Sequence, residues 1–248
     1  MSRLLSAVLV LALAPTVKAA DDPKEIVAKA IKAHGGEEFL TKHKAAQQRD
    51  KGKITLPGMA ESEYSDESAH MLPDKFKQNF EMEIMGMKFV MNILVVGDKI
   101  TAEGTVAGQK IDLGDDTRDA FKVVPHLLRV LQFVPLVKDK GYELNLIGED
   151  KVDEKKVVGV RVSAKDQKDV SMFFDKETGL MLKMEYRTTG PGGNEVTETR
   201  LVKEYAKGKD GVVYAKKTVV QHDGKTFIES ETVEHKYLEK LDDAEFKK

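Results

Sequence analysis

The stretch Val170-Ser171-Met172-Phe173-Phe174-Asp175-Lys176-Glu177-Thr178-Gly179-Leu180-Met181-Leu182-Lys183-Met184-Glu185-Tyr186-Arg187 decides the architecture of this chain. Val170, Met172 and Phe174 recur at every second position, as do Leu180, Leu182, Met184 and Tyr186, while Lys183, Glu185 and Arg187 occupy the positions between. A period of two with one apolar and one charged face is the pattern of a half-buried β-strand. Asp175-Lys176-Glu177-Thr178-Gly179 is rich in turn-forming residues and joins the two runs as antiparallel neighbours.

The same pattern extends outward in both directions. Val158, Val160 and Val162 form one face of a preceding strand, Gly190-Pro191-Gly192-Gly193 ends the strand after Tyr186, and Asp223-Gly224 has the composition of a type I′ turn. Towards the N-terminus, Met87, Phe89, Met91, Ile93 and Val95 alternate before Gly97-Asp98, and Met71-Leu72-Pro73 enters a strand through Phe76 and Phe80. Residues 53–56 lead to Pro57-Gly58, and the polar run at 61–65 reads as an edge strand. With no crossover helices of the kind a parallel sheet needs, the reading is mainly β: a curved antiparallel meander of about ten strands.

Helices are expected in two places. Asp22 caps a first helix with Pro23 at its start and Glu25 in its first turn, and Ile26, Ala30 and Ile31 keep helical spacing up to Gly35-Gly36. A second short helix is expected at 37–46, burying Phe39 and Leu40. Between the two strand runs, residues 115–133 form an amphipathic segment. Ala120, Val123, Val124, Leu127, Leu128, Val130, Leu131 and Val134 lie on one side, against Arg118, Asp119, Lys122, His126 and Arg129 on a solvated side. Pro125 kinks or splits it and should push Val124 out of the helical region. Such a segment can cover the concave face of a curved sheet as a fixed plug or as a movable lid.

Residues 1–19 read as a secretory signal: Met1-Ser2-Arg3, an apolar run from Leu4 to Leu13, then Val17-Lys18-Ala19 as the cleavage site. The run is shorter than the ~20 residues that span a bilayer, and no later segment approaches that length. The expected location is therefore the periplasm, or the exterior of a host without an outer membrane, with residues 20–248 as a single domain. The chain has no cysteine, which excludes a lipobox anchor, disulfides and thiol chemistry. Net charge is -2, and loss of Arg3 and Lys18 takes it to -4. That balance gives no electrostatic reason to expect nucleic acid as a partner.

No catalytic, metal or cofactor motif is present. No two of the six histidines have helical zinc-site spacing, and there is no nucleophile elbow, phosphate loop or dinucleotide fingerprint. Ser171 and His222 are a conceivable pair that spacing alone does not exclude. The acidic pairs Asp115-Asp116 and Asp242-Asp243 read as helix starts. Arg49 and Lys53 could meet a polar head group, with solvated surface charge as the ordinary reading.

The order of elements resembles the periplasmic carriers of the outer-membrane lipoprotein-sorting (LolA/LolB-like) family. The resemblance rests on Gly52-Lys53-Ile54, Leu72-Pro73-Asp74-Lys75-Phe76, Val95-Val96-Gly97-Asp98-Lys99, Phe174-Asp175-Lys176-Glu177-Thr178-Gly179-Leu180 and Leu241-Asp242-Asp243-Ala244-Glu245-Phe246. Where that family carries a tryptophan-bearing strand after an Asp-Gly turn, this chain has Gly97-Asp98 and Ile100-Thr101-Ala102-Glu103. The resemblance implies an incomplete barrel whose apolar interior takes acyl chains under a helical cover. It also implies a non-enzymatic carrier of lipid or acylated protein, with sorting proteins of the inner and outer membranes as partners and no cofactor. The alternative is an envelope scaffold of the same fold with a plugged core.

The expected apolar cavity and lid comprise Phe89, Met91, Ile93, Phe121, Val124, Leu127, Leu128, Leu131, Met172, Phe174, Leu182 and Met184. The methionines in the predicted strands favour an adaptable apolar surface. Protein exported by its native host should begin at Ala20 by intact mass, and retention of Met1 would overturn the expected location.

Overall fold

The computed structural model describes residues 22–247, so the expected signal segment lies outside the described residues. Two helices come first, α1 (Pro23–Ala33) and α2 (Gly36–Lys42). They are followed by strands β1 (Ala45–Ile54), β2 (Ser62–Met71), β3 (Lys75–Ile84), β4 (Met87–Val96), β5 (Lys99–Val106) and β6 (Gln109–Ile111). Helices α3 (Gly114–Phe121), α4 (Val124–Val130) and α5 (Val134–Lys138) connect to β7 (Tyr142–Val152), β8 (Lys155–Ala164), β9 (Val170–Asp175) and β10 (Met181–Thr189). The chain then forms β11 (Glu195–Lys207), β12 (Val213–His222) and β13 (Lys225–Leu238), and a 3-10 turn at Asp243–Phe246 closes it.

All thirteen strands form one open antiparallel sheet in the order β6-β5-β4-β3-β2-β1-β13-β12-β11-β10-β9-β8-β7. The strand count thus exceeds the expected ten. Strands adjacent in sequence pair throughout except β6 and β7, and β1 pairs in addition with β13 across a seam. The two edges, β6 and β7, are consecutive in the chain and are joined by α3–α5, so this connector must pass from one edge of the sheet to the other. The ring of Phe121 in α3 stacks on Phe76 of β3 at 6.2 Å, and Arg129 in α4 donates to the carbonyl of Pro73, so the connector lies over one face of the sheet. That face, which carries the helices, is the inner one of the open half-barrel.

The concave core is built where helices meet β8–β10. Val27, Ala30, Leu127, Val130, Phe133 and Leu136 pack on Val158, Val160, Val162, Met172, Phe174 and Met184. Asp22 caps α1 by accepting from the Lys24 amide, as its sequence position requires. Phe133 separates α4 from α5 at φ 57°, a conformation a bulky residue holds only where packing fixes it. Its ring lies 4.8 Å from His34 and 5.8 Å from Phe174.

Several local expectations are corrected. The second helix stops at Lys42, and Ala45 and Ala46 belong to β1. The polar run at 61–65 enters β2, an interior strand between β1 and β3 rather than an edge. Residues 115–133 are not one kinked helix, because a break at Lys122 divides them into α3 and α4, and Phe133 then separates α4 from α5. Val124 is helical and begins α4, with Pro125 at the first turn, where its missing N–H costs nothing. His126 is buried, stacked near Tyr142 at 6.4 Å, and not on a solvated face.

The β1–β13 seam depends on Gly52. A Cβ there would lie 1.9 Å from the Glu229 carbonyl oxygen. Gly52→Ala should therefore cost about 2–3 kcal/mol in urea unfolding, while Gly141→Ala, with open space around it, should be near neutral.

Candidate ligand-binding surface

Strand alternation and pairing register assign side chains to the concave face one strand at a time. On β4, Phe89, Met91 and Ile93 stand opposite Met82, Phe80 and Gln78 of β3, and these pair in turn with Tyr64, Asp66 and Ser68 of β2. On β1, Gly52, Asp50 and Gln48 continue the rows. Ile54, Tyr64, Phe80 and Met82 form a buried apolar cluster, and Phe89, Met91, Ile84, Phe227 and Ile228 are partly exposed against it. No helix residue belongs to this cluster, in contrast to the helix-filled core on β8–β10.

The expected cavity residues therefore divide. Leu127, Met172, Phe174 and Met184 are buried together in the helix-filled core, with Leu131 packed against it. Phe89 and Met91 sit in the uncovered cluster, and Ile93 is buried further along β4. Phe121, Val124 and Leu128 are half-buried and belong to neither cluster. Leu182 lies elsewhere: a bulge between Met181 and Lys183 turns it to the convex face, where it packs with Val152, Val157 and Phe173. Sequence alternation through Leu180, Leu182 and Met184 does not reveal that extra residue. Arg49 and Lys53 are also on the convex side, paired with Glu234 and Glu61, which agrees with the surface-charge reading. Ser171 and His222 lie on opposite faces and form no pair.

Between the two apolar regions runs a band of polar side chains that the apolar pattern did not anticipate. On β11, Arg200 donates from Nε to Glu198 Oε1 at 2.6 Å and to the Tyr186 hydroxyl at 3.1 Å. Glu198 also accepts from the Tyr186 hydroxyl and lies 3.2 Å from His222 Nε2. Burial pushes the Glu198 carboxyl up, but the Arg200 charge and three hydrogen bonds prevail and hold it at about 2. The His222 ring stacks on Phe227 at 4.1 Å, which joins this knot to the uncovered apolar cluster.

Across the seam, Asp50 and Asp66 are cross-strand partners on β1 and β2. Gln48 donates to Asp50 Oδ2 at 2.7 Å, yet Asp50 Oδ1, Asp66 Oδ1 and Gln78 Oε1 are buried without a partner. Burial, with Asp50 and Glu67 nearby, pushes the Asp66 carboxyl up to about 7, and burial also raises Asp50. Further along, burial lowers His70 and His235 to about 4, so both are neutral near pH 7. The available signal was β2 itself: Glu63-Tyr64-Ser65-Asp66-Glu67-Ser68 is polar on both faces, and a two-faced polar strand inside a sheet must bury polar groups.

Asp66 links this band to stability. The unfolded carboxyl loses its proton near pH 4 and the folded one near 7. Its contribution is therefore fully present below pH 4 and is lost as pH rises through 7. Asp66→Asn has no such proton to lose. In ligand-free protein its stability relative to the native chain should rise between pH 4 and 7 and then level, by on the order of 2–4 kcal/mol in urea unfolding. A flat difference across that range would contradict the assignment.

No family model matches the chain, and no curated protein matches it. Among solved structures, it is similar to a LolA superfamily protein from Nitrosomonas europaea, with 12% identity over 92% of this chain and 99% of that one, at a TM-score of 0.52. It is also similar to a DUF1329 family protein from Desulfovibrio piger, with 16% identity over 92% and 98% and a TM-score of 0.53. Identity this low speaks to the fold alone. The chain has a LolA-like fold.

Proposed function

We propose that the protein is a non-enzymatic periplasmic carrier that binds the acyl chains of a lipid or lipoprotein on the concave face of the sheet. The observation that carries this reading is the partly exposed apolar wall formed by Ile84, Phe89, Met91, Phe227 and Ile228, to which no helix among the described residues contributes. A soluble protein leaves such a concave apolar surface open for a guest. Burying about ten methylenes there at ~0.8 kcal/mol each is worth roughly 8 kcal/mol, enough for useful affinity after the cost of immobilising the chains.

The connector divides into an anchor and a flap in this reading. Leu127 and Val130 are buried in the helix-filled core, so α4 is fixed along one side. Phe121, Val124 and Leu128 are half-buried beyond that core, and in this reading they border the opening with the partly exposed Phe89 and Met91, while Ile93 is buried behind them and Leu131 packs on the core. Met172, Phe174 and Met184 form the closed floor under the anchor. Transfer partners at the two membranes would engage the open side, and among the described residues no helix is long and apolar enough to cross a membrane.

Leu127→Ala should cost about 2–4 kcal/mol by opening a cavity in the core. Leu128→Glu should leave melting nearly unchanged but alter the affinity for an uncharged, environment-sensitive apolar dye that acyl-chain lipids displace. A wild type that binds no dye, with Leu128→Glu grossly unfolded, would favour a plugged-core scaffold instead.

A further inference from the structure

We propose that the polar band is the head-group site of a zwitterionic amphiphile, with a phosphate on the free end of Arg200 and an ammonium among Asp50, Asp66 and Gln78. The proposal rests on the carrier reading above and names the class of lipid that reading leaves open.

Arg200 is presented as an anion-binding fork. Its Nε is occupied by Glu198 and Tyr186, which fixes the guanidinium plane, while neither Nη has a partner among the described residues. Its side chain stays 48% accessible although it projects from the concave wall beside buried Met184. Four N–H donors therefore face the trough from a rigidly held plane, a geometry that suits two oxygens of a phosphate.

On the other side of the seam the chemistry is complementary. Asp50 Oδ1, Asp66 Oδ1 and Gln78 Oε1 are buried oxygens that meet no donor among the described residues, and Asp66, only 7% exposed, offers a carboxylate to a cation once it ionises. An unmet buried acceptor is costly, so native chains leave few of them without reason. A primary ammonium brings three N–H donors to such a set. A bare anion would be repelled by the acceptors, and a lone cation would meet the charge of Arg200, which is near enough to act on both Asp50 and Tyr64. Among the described residues no cluster of three or more histidine, aspartate or glutamate side chains is arranged for a metal ion. The band also adjoins the apolar wall directly, since Asp66 pairs with Phe80 and Phe80 with Met91, so chains leaving the head group pass onto that wall.

The test uses the mature, delipidated protein and displacement of the uncharged apolar dye by dioctanoyl lipids. Phosphatidylethanolamine should displace the dye at about tenfold lower concentration than phosphatidylglycerol or phosphatidylcholine, which lack the N–H donors. Asp66→Asn and Asp50→Asn should erase that preference while dye affinity stays unchanged. Arg200→Lys should weaken all three lipids about tenfold and leave the dye unaffected. Should Arg200→Lys fail to fold, the lipid preference of the two asparagine variants decides. Dye binding with equal displacement by all three lipids in the wild type overturns the head-group site alone. No dye binding removes the carrier reading and this site with it. Chain-free phosphoethanolamine displacing the dye as well as the lipid would show a soluble zwitterion as the occupant and overturn the amphiphile.

Discussion

The two edges of the sheet are consecutive in the chain, and everything inside the trough depends on how that gap is crossed. A connector that leaves β6 must reach β7 at the far edge, and the contacts of Phe121, Arg129 and Leu127 place α3 and α4 on the face that also carries α1. Side chains then decide how firmly it is held. Leu127, Val130, Phe133 and Leu136 commit one side of the connector to the core on β8–β10, together with α1. Nothing comparable commits Phe121, Val124 and Leu128 to the wall on β3 and β4.

The interior that results is graded rather than uniformly apolar. A fully apolar trough would be easier to fill but would bind any chain in any orientation. The knot of Tyr186, Glu198, Arg200 and His222 interrupts it with groups that satisfy one another, while Asp50, Asp66 and Gln78 each keep one buried oxygen that none of the described residues meets. Buried polar groups that are fully paired rigidify a site, and those that are not create a demand for specific partners. The two kinds stand on either side of β13, on β10–β12 and on β1–β3, so the face differs from one flank to the other.

Most of the sheet was legible because burial on one face forces a period of two, as Val158-Val160-Val162 and Met87 through Val95 show. What period two cannot encode is an inserted residue, and so Leu182 was assigned to the wrong face across the Met181 bulge. The polar band was hidden for a related reason. Asp50, Asp66 and Arg200 lie among charged neighbours such as Arg49, Glu67 and Lys203, and alternation of charge with charge carries no signal of which face is inside. His126 was misjudged because its neighbours Lys122 and Arg129 are exposed, although the ring itself turns inward. The split of 115–133 was partly legible through Pro125, whereas the break at Phe133 is imposed by packing against His34 and Phe174.

The seam between β1 and β13 also sets an order of events. Every other strand pair closes a local hairpin or short loop, so pairing on either flank needs little sequence separation and can proceed as the chain emerges. The seam alone joins residues such as Ile54 and Ile228, and it carries the entropic cost of closing the longest loop in the sheet. Among the described strands β13 comes last in the chain, and without it the sheet is two separate ribbons with the polar band divided between them. Neither ribbon alone presents the whole band, so the inner face is complete only once this seam has closed.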